Sequence, residues 1–176
     1  NLTQNGCTAS DKNYLAKLRW ATGNLKSTGS TNYIWAPSQT ETGYYYTWYS
    51  TYTGNKTTNN TDPCSKLNTA YYGTGWRTPS ENDYIPLSRC TDKVLTNGGM
   101  WFMNKSIGIF LLAAGTIGNG GGSATSNPNY STAKTGQYWT SKKDGENRGI
   151  SFTFNPSSTF MFSDYQATGI PVRCVK

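Results

Sequence analysis

The chain has 176 residues, with 14% charged, 14% aromatic and a net charge of +7, and it contains no histidine. That length suits one domain around a single core, and the aromatic content excludes a disordered chain. Without histidine, Ser-His and Cys-His nucleophile systems are excluded as well. Lys and Arg are spread along the chain, and the densest group is only Lys142-Lys143 with Arg148. This reads as a solvated basic surface rather than a nucleic-acid patch.

Residues 1–13 are polar, with Cys7 as the expected tether. Leu15, Leu18 and Trp20 with Ala16 and Ala21 fit a short helix or a strand; the turn at Thr22-Gly23-Asn24 favours a strand near 17–21. Tyr33-Ile34-Trp35-Ala36 is β-prone and stops at Pro37. Gly43-Tyr44-Tyr45-Tyr46-Thr47-Trp48-Tyr49 predicts an aromatic strand, with Tyr44, Tyr46 and Trp48 on one face. One face in the core is the favoured reading, and an exposed aromatic binding ledge is the other.

Asp62 and Pro63 start a helix whose inner face would hold Leu67, Ala70 and Tyr71. Gly73 and Gly75 end it and deliver Trp76-Arg77. A second helix follows, with Thr78 as N-cap, Pro79 at the first position and Glu81 completing a capping box. Glu81 and Asp83 favour its positive end. Pro86 predicts a short or kinked helix, with Cys90 just beyond. Residues 100–103 and 107–114 read as central segments buried on both faces. Residues 115–136 form a Gly/Ser/Asn loop, expected to be mobile. Strands are predicted at 137–141, 149–155 and 169–175, with a short one at 159–162.

Cys7, Cys64, Cys90 and Cys174 include no C-x-x-C pair, and a zinc site would need all four thiolates. Two disulfides and an oxidising compartment are favoured, with three connectivities open. The longest apolar run, 107–115, is far short of the ~20 residues of a membrane span. A start at Asn1 reads as a processed or trimmed chain.

In order, several landmarks resemble the bacterial major paralogous domain family, often called FISUMP, of secreted or surface domains from Bacteroidetes and Fibrobacter-like bacteria. They are Trp20-Ala21-Thr22-Gly23-Asn24-Leu25, the aromatic run at 43–49, Cys64, and Gly75-Trp76-Arg77-Thr78-Pro79-Ser80-Glu81-Asn82-Asp83-Tyr84. Then come Phe110-Leu111-Leu112-Ala113-Ala114-Gly115, Tyr138-Trp139-Thr140-Ser141 and Gly169-Ile170-Pro171-Val172-Arg173-Cys174-Val175-Lys176. The resemblance covers about residues 15–176. It implies a single α+β domain of the C-type-lectin-like fold, close to formylglycine-generating enzymes. Two helices would pack on a twisted, mostly antiparallel sheet, with long loops on one side. It also implies that Cys64 pairs with Cys174, leaving Cys7 with Cys90. Trp76, Arg77, Thr78 and Glu81 would then be a structural corner between the helices.

The related enzymes use a cysteine pair in the C-terminal half, whereas only Cys174 follows residue 90 here, so no catalysis is expected. Glu81 and Asp83 read as helix-start residues, and Asp144 and Glu146 as self-neutralising surface charge. Sugar-binding relatives hold calcium with Glu-Pro-Asn or Gln-Pro-Asp and Trp-Asn-Asp triplets. Asn127-Pro128-Asn129 and Tyr138-Trp139-Thr140 lack those ligands. No metal and no cofactor are expected. The resemblance places a ligand face in residues ~115–168, carrying Tyr138, Arg148, Asn155, Phe160, Phe162, Asp164, Tyr165 and Gln166. Trp139, Phe152 and Phe154 are expected in the core.

The resulting expectation is a non-catalytic secreted or cell-surface binding or adhesion domain. Its partner would be a glycan or protein on a host or bacterial surface, without nucleic acid or membrane insertion. The alternatives are a structural subunit of a fimbria-like assembly and a retroelement-diversified receptor-binding protein, and, behind these, a calcium-dependent lectin or an enzyme.

Overall fold

Thr8 and Asp11 form a reciprocal cap, each backbone N–H donating to the other's side-chain oxygen at 3.0 Å. They start helix α1, Ala9–Lys17, in a computed structural model that describes residues 6–27, 32–51, 58–105, 107–117 and 134–176. The expected strand over 17–21 is therefore replaced. The helix takes residues through Lys17, and Trp20 makes a lone bridge to Val175. Leu15 is the one buried residue of α1, which explains why no apolar periodicity announced it.

Asp62 caps a 3₁₀ turn, Pro63–Lys66, as expected. The helix does not continue. Leu67 is extended, Asn68 caps a second short helix, α2 (Thr69–Tyr72), and Gly73 leaves it at φ +76°. Leu67 stays buried, but Ala70 and Tyr71 are exposed, which corrects their placement on an inner face.

Helix α3 spans Glu81–Cys90 and runs through Pro86. Its capping differs from the expectation. Ser80 is the N-cap, and Asp83 Oδ2 accepts from the Ser80 N–H and hydroxyl at 2.5 and 2.7 Å. Thr78 is drawn away, donating its N–H and hydroxyl to Asp62. Glu81 becomes the first helical residue and pairs with Lys142 at 2.6 Å. The corner itself is present: Trp76 Nε1–H donates to the Tyr72 carbonyl, and Arg77 grips Asp83 with two bonds of 2.6 and 2.9 Å.

The described strands form small antiparallel sheets. β1 (Leu25–Ser27) pairs with β2 (Tyr33–Trp35), and β3 (Tyr45–Tyr46) pairs with β10 (Ile170–Pro171). β4 (Asp92–Thr96), β5 (Gly99–Met103) and β6 (Gly108–Leu112) form one meander. β7 (Gly136–Lys143), β8 (Arg148–Phe154) and β9 (Thr159–Tyr165) form another. The chain is thus α+β with several antiparallel sheets and few helices, rather than two helices on one continuous sheet. The aromatic run at 43–49 is no ledge. Tyr45, Tyr46, Thr47 and Trp48 are all buried, with Trp48 Nε1–H donating to the Thr140 carbonyl at 2.9 Å. The strand expected at 159–162 is longer, and the one at 169–175 is broken after Pro171.

Two disulfides, Cys7–Cys90 and Cys64–Cys174, staple these parts, the connectivity implied by the family resemblance. One core packs Tyr84, Phe102, Tyr138, Phe152 and Phe154; a second packs Leu25, Tyr46, Trp48, Trp139 and Cys64. Between the chain segments lies Arg173, fully buried. It donates Nε to Asn24 Oδ1 at 3.0 Å, Nη1 to the Ala21 carbonyl at 3.1 Å and Nη2 to the Phe110 carbonyl at 2.8 Å.

Two predictions follow from these networks. Arg173→Lys keeps the charge but loses the planar fork. It is expected to destabilise by about 3 kcal/mol, since buried acceptors lose their donors. Urea unfolding measures this, and a loss below about 1 kcal/mol would contradict the assigned role. The second concerns Asp83. Burial raises its pKa, but bonds from Arg77, Tyr14 and Ser80 outweigh that and leave it below the ordinary carboxylate value. A depressed folded pKa adds stability that is present at neutral pH and lost as pH falls through the folded value. Asp83→Asn should cost about 2 kcal/mol at pH 7, discounted because Arg77 is part-exposed. The gap between wild type and variant should close on acidification, and a gap independent of pH would refute the assignment.

Candidate functional site

Directly opposed residues in an antiparallel sheet share a face, so the register of β7, β8 and β9 fixes the site. Gln137 opposes Thr153, which opposes Phe160; Trp139 opposes Ser151, which opposes Phe162; Gly149 opposes Asp164. A Cβ at Gly149 would run into the Trp48 ring, so Trp48 covers this face over β8. The cover ends before β9, where Phe160 and Phe162 stand 41% and 48% exposed. The opposite face carries Met161 and Phe152, packed into the core beside Tyr84 and α3.

Asp164 closes the row of side chains on the open face. Its Oδ2 accepts from the Ser151 hydroxyl at 2.8 Å and from Gln137 Nε2 at 3.2 Å. Burial raises its pKa above the ordinary value; the bond from Ser151 and the charge of Arg148 oppose this only in part. On the other face, the Arg148 guanidinium lies 4.4 Å from the centroid of the Tyr165 ring and donates Nη1 to the Ser163 carbonyl at 2.8 Å. Tyr165 is 54% exposed. A hollow of about 190 Å³ lies alongside, between Ile85, Ser88 and Arg89 of α3 and Phe160 and Met161 of β9.

β9 is also the last strand of its sheet: among the described residues no strand pairs with its outer edge. Its register with β8 runs unbroken from Thr159 to Tyr165, with no bulge and no proline. Those are two of the devices that usually protect an edge.

Five of the predicted ligand residues therefore come together on the outer hairpin: Arg148, Phe160, Phe162, Asp164 and Tyr165. Three do not. Tyr138 is fully buried, where its hydroxyl accepts from the Leu112 N–H at 2.8 Å. It is a core residue and not a surface contact. Gln166 is buried and spends its side chain on the Arg148 carbonyl at 3.1 Å. Asn155 accepts from the N–H groups of Ser157 and Ser158 at 2.9 and 2.8 Å, forming the β8–β9 turn. Asn127-Pro128-Asn129 and most of the loop after 117 lie outside the described residues.

A second group of aromatic rings, one exposed and three half-buried, escaped the sequence reading. Tyr71, Tyr72, Trp35 and Trp76 touch one another in series. The available signal was Asn68, whose Oδ1 accepts from the Ala70 N–H at 3.0 Å and restarts the helix on a new face.

No family model, no curated protein and no solved structure matches this chain. Fold and surface together define a disulfide-stapled α+β protein with an open, aromatic edge strand.

A raised carboxylate pKa lowers stability as pH rises through the folded value, and the group's full contribution is present only below the ordinary value. Asp164→Asn removes that penalty while keeping an acceptor for Ser151. Thermal unfolding at pH 7 should show no loss of stability, and a clear loss would show that the charged form is the one the fold prefers.

Proposed function

We propose that this chain is a non-catalytic binding or adhesion domain, secreted or displayed on a bacterial surface, of the C-type-lectin-like kind. The observation that carries the reading is the concentration of exposed aromatic rings on one edge strand, with Phe160, Phe162 and Tyr165 on β9. Large rigid rings bring contact area at little entropic cost. Arg148 and Asp164 supply one charge of each sign beside them. The free edge adds backbone donors and acceptors, so an extended segment of a partner protein fits this surface better than a glycan does. Two disulfides support an oxidising, extracellular setting. No described helix is long and apolar enough to cross a membrane.

A second reading, a subunit of a fimbria-like assembly, draws on the same unprotected edge. Antiparallel pairing of two β9 strands would join two sheets. The net charge of +7 on every copy opposes close self-packing, which favours a different partner.

The test uses the intact protein on arrays of host and bacterial surface proteins and of glycans. Wild type should bind a protein partner, and Phe160→Ser with Phe162→Ser should weaken binding at least about tenfold, since each ring contributes on the order of 1 kcal/mol. Thermal stability should fall only modestly, because both rings are already about half exposed. Equal binding by the double variant would overturn the site. Concentration-dependent growth in light scattering that the double variant abolishes would instead support the assembly reading.

A further inference from the structure

Away from β9, the four-residue helix α2 presents a second aromatic surface. Tyr71 is 81% exposed, the highest value among the large hydrophobic side chains of the described residues. Its ring meets Tyr72 edge-on with centroids 4.8 Å apart. Tyr72 lies 4.0 Å from Trp35, and Trp35 lies 4.9 Å from Trp76 in an edge-to-face pair. The last three rings are half-buried against the second core, so the row is anchored from below and open from above. The Trp76 Nε1–H bond to the Tyr72 carbonyl at 2.9 Å fixes the two elements to each other. The Cys64–Cys174 disulfide sits directly under this corner.

Trp76 also lines a neighbouring hollow of about 270 Å³, together with Ser65, Thr69, Gly73 and Thr74. Pockets for drug-sized molecules run about 300–1,000 Å³, so this hollow suits a single small ring. Its lining offers three hydroxyls and the bare backbone of glycines. No carboxylate lines it. The side chain of Lys176 runs alongside, with Nζ 3.2 Å from the position a Cβ on Gly73 would take. Among the described residues Lys176 forms no ion pair.

These features share one chemistry. An aromatic row takes the apolar C–H face of a pyranose. Small hydroxyls and open backbone take its hydroxyl groups. An unpaired ammonium takes a negative substituent. We propose that the corner of Trp35, Tyr71, Tyr72, Trp76 and Lys176 is a binding site for an acidic pyranose, a hexuronate unit of a polysaccharide. The site is separate from β9 and does not rest on the reading of that strand. The charge of Lys176 selects the uronate over the neutral sugar, and the fixed ring row keeps the ordering cost of binding low.

The test is a titration of the intact, oxidised protein with glucuronate and galacturonate oligosaccharides, followed by tryptophan fluorescence and calorimetry. The expected result is saturable binding with a change in tryptophan emission. Tyr71→Ala and Lys176→Gln lie at exposed positions and should leave thermal stability unchanged. Each should weaken binding by about tenfold, the scale of one stacking or charge-assisted contact. The Phe160→Ser, Phe162→Ser double variant should bind the uronates like wild type, which keeps the outcome distinct from that of the β9 test. Absence of saturable binding would overturn the proposal. So would binding unchanged by Tyr71→Ala, or equal affinity for the neutral glucose and galactose oligosaccharides.

Discussion

A guanidinium buried without a carboxylate holds this fold together. Among the described residues Arg173 has no carboxylate partner; it bonds the Asn24 side chain and the carbonyls of Ala21 and Phe110, with the Tyr138 hydroxyl close by. Removing a charge from water is expensive, and burial accordingly lowers the Arg173 pKa, opposed by the nearby Tyr138 and Tyr84 hydroxyls. The cost is met by aiming donors at acceptors from three parts of the chain at once. That requirement shapes its surroundings. Asn24 is buried because Arg173 needs its oxygen and Tyr138 receives its amide at 3.2 Å. Tyr138 in turn bonds both backbone groups of Leu112. The end of the chain is therefore fastened to its beginning and to the central meander through one side chain.

The same constraint explains the broken final strand. After Pro171 the backbone leaves regular pairing and bonds piecewise with the early segment. Leu25 N–H donates to the Val172 carbonyl, Ala21 N–H to Cys174, and Arg77 exchanges both of its bonds with Val175. Cys174 is then held next to Cys64, and the corner between α2 and α3 cannot drift. Asp62 and Asp83 are absorbed into that corner, one holding Thr78 and Cys64, the other holding Arg77, Tyr14 and Ser80. Acidic side chains here maintain the scaffold. The exposed large side chains include aromatic rings instead, Tyr71 on α2 and Phe160, Phe162 and Tyr165 on β9.

Much of the fold could be read from the chain, and the failures share a physical origin. The strands within 100–103 and 107–114, though Trp101 is only half-buried and Met103 and Gly108 are exposed rather than covered on both faces, the strand at 149–155 and the helix start near Asp83 depend on local pattern, which a sequence displays. The cap was misread because Thr78 and Ser80 are both good N-caps, each with an acidic residue three positions on. The choice was made by Asp62, sixteen residues away, which claims Thr78. Helix α1 was missed because it buries one side chain and is held by a local cap and a distant disulfide. Tyr138 and Phe160 look alike as aromatic strand residues. Their difference comes from strand order, since β7 lies under Trp48 and Arg173 while β9 lies at the rim. Arg173 stood in a recognised motif, yet nothing local marks an arginine as buried.

Exposed rings are a hazard for any protein, and the scaffold sets how it is contained. On β9, Phe160 and Phe162 share their face with Asp164, while Arg148 lies against Tyr165 on the other face, so the apolar stretch is short and carries charge on either side of the strand. The chain's net positive charge adds long-range repulsion between copies. At the α2 corner the rings pack edge to face or tilted against one another instead, which leaves little freedom for them to collapse on another surface. Both patches are mounted on cross-linked backbone: β9 through the unbroken ladder to β8, the corner through Cys64–Cys174. A surface that is apolar yet rigid loses little entropy when a partner arrives. Under the two proposals rigidity at these places serves recognition as well as stability, and it traces back to the way Arg173 and the two disulfides fasten distant parts of the chain.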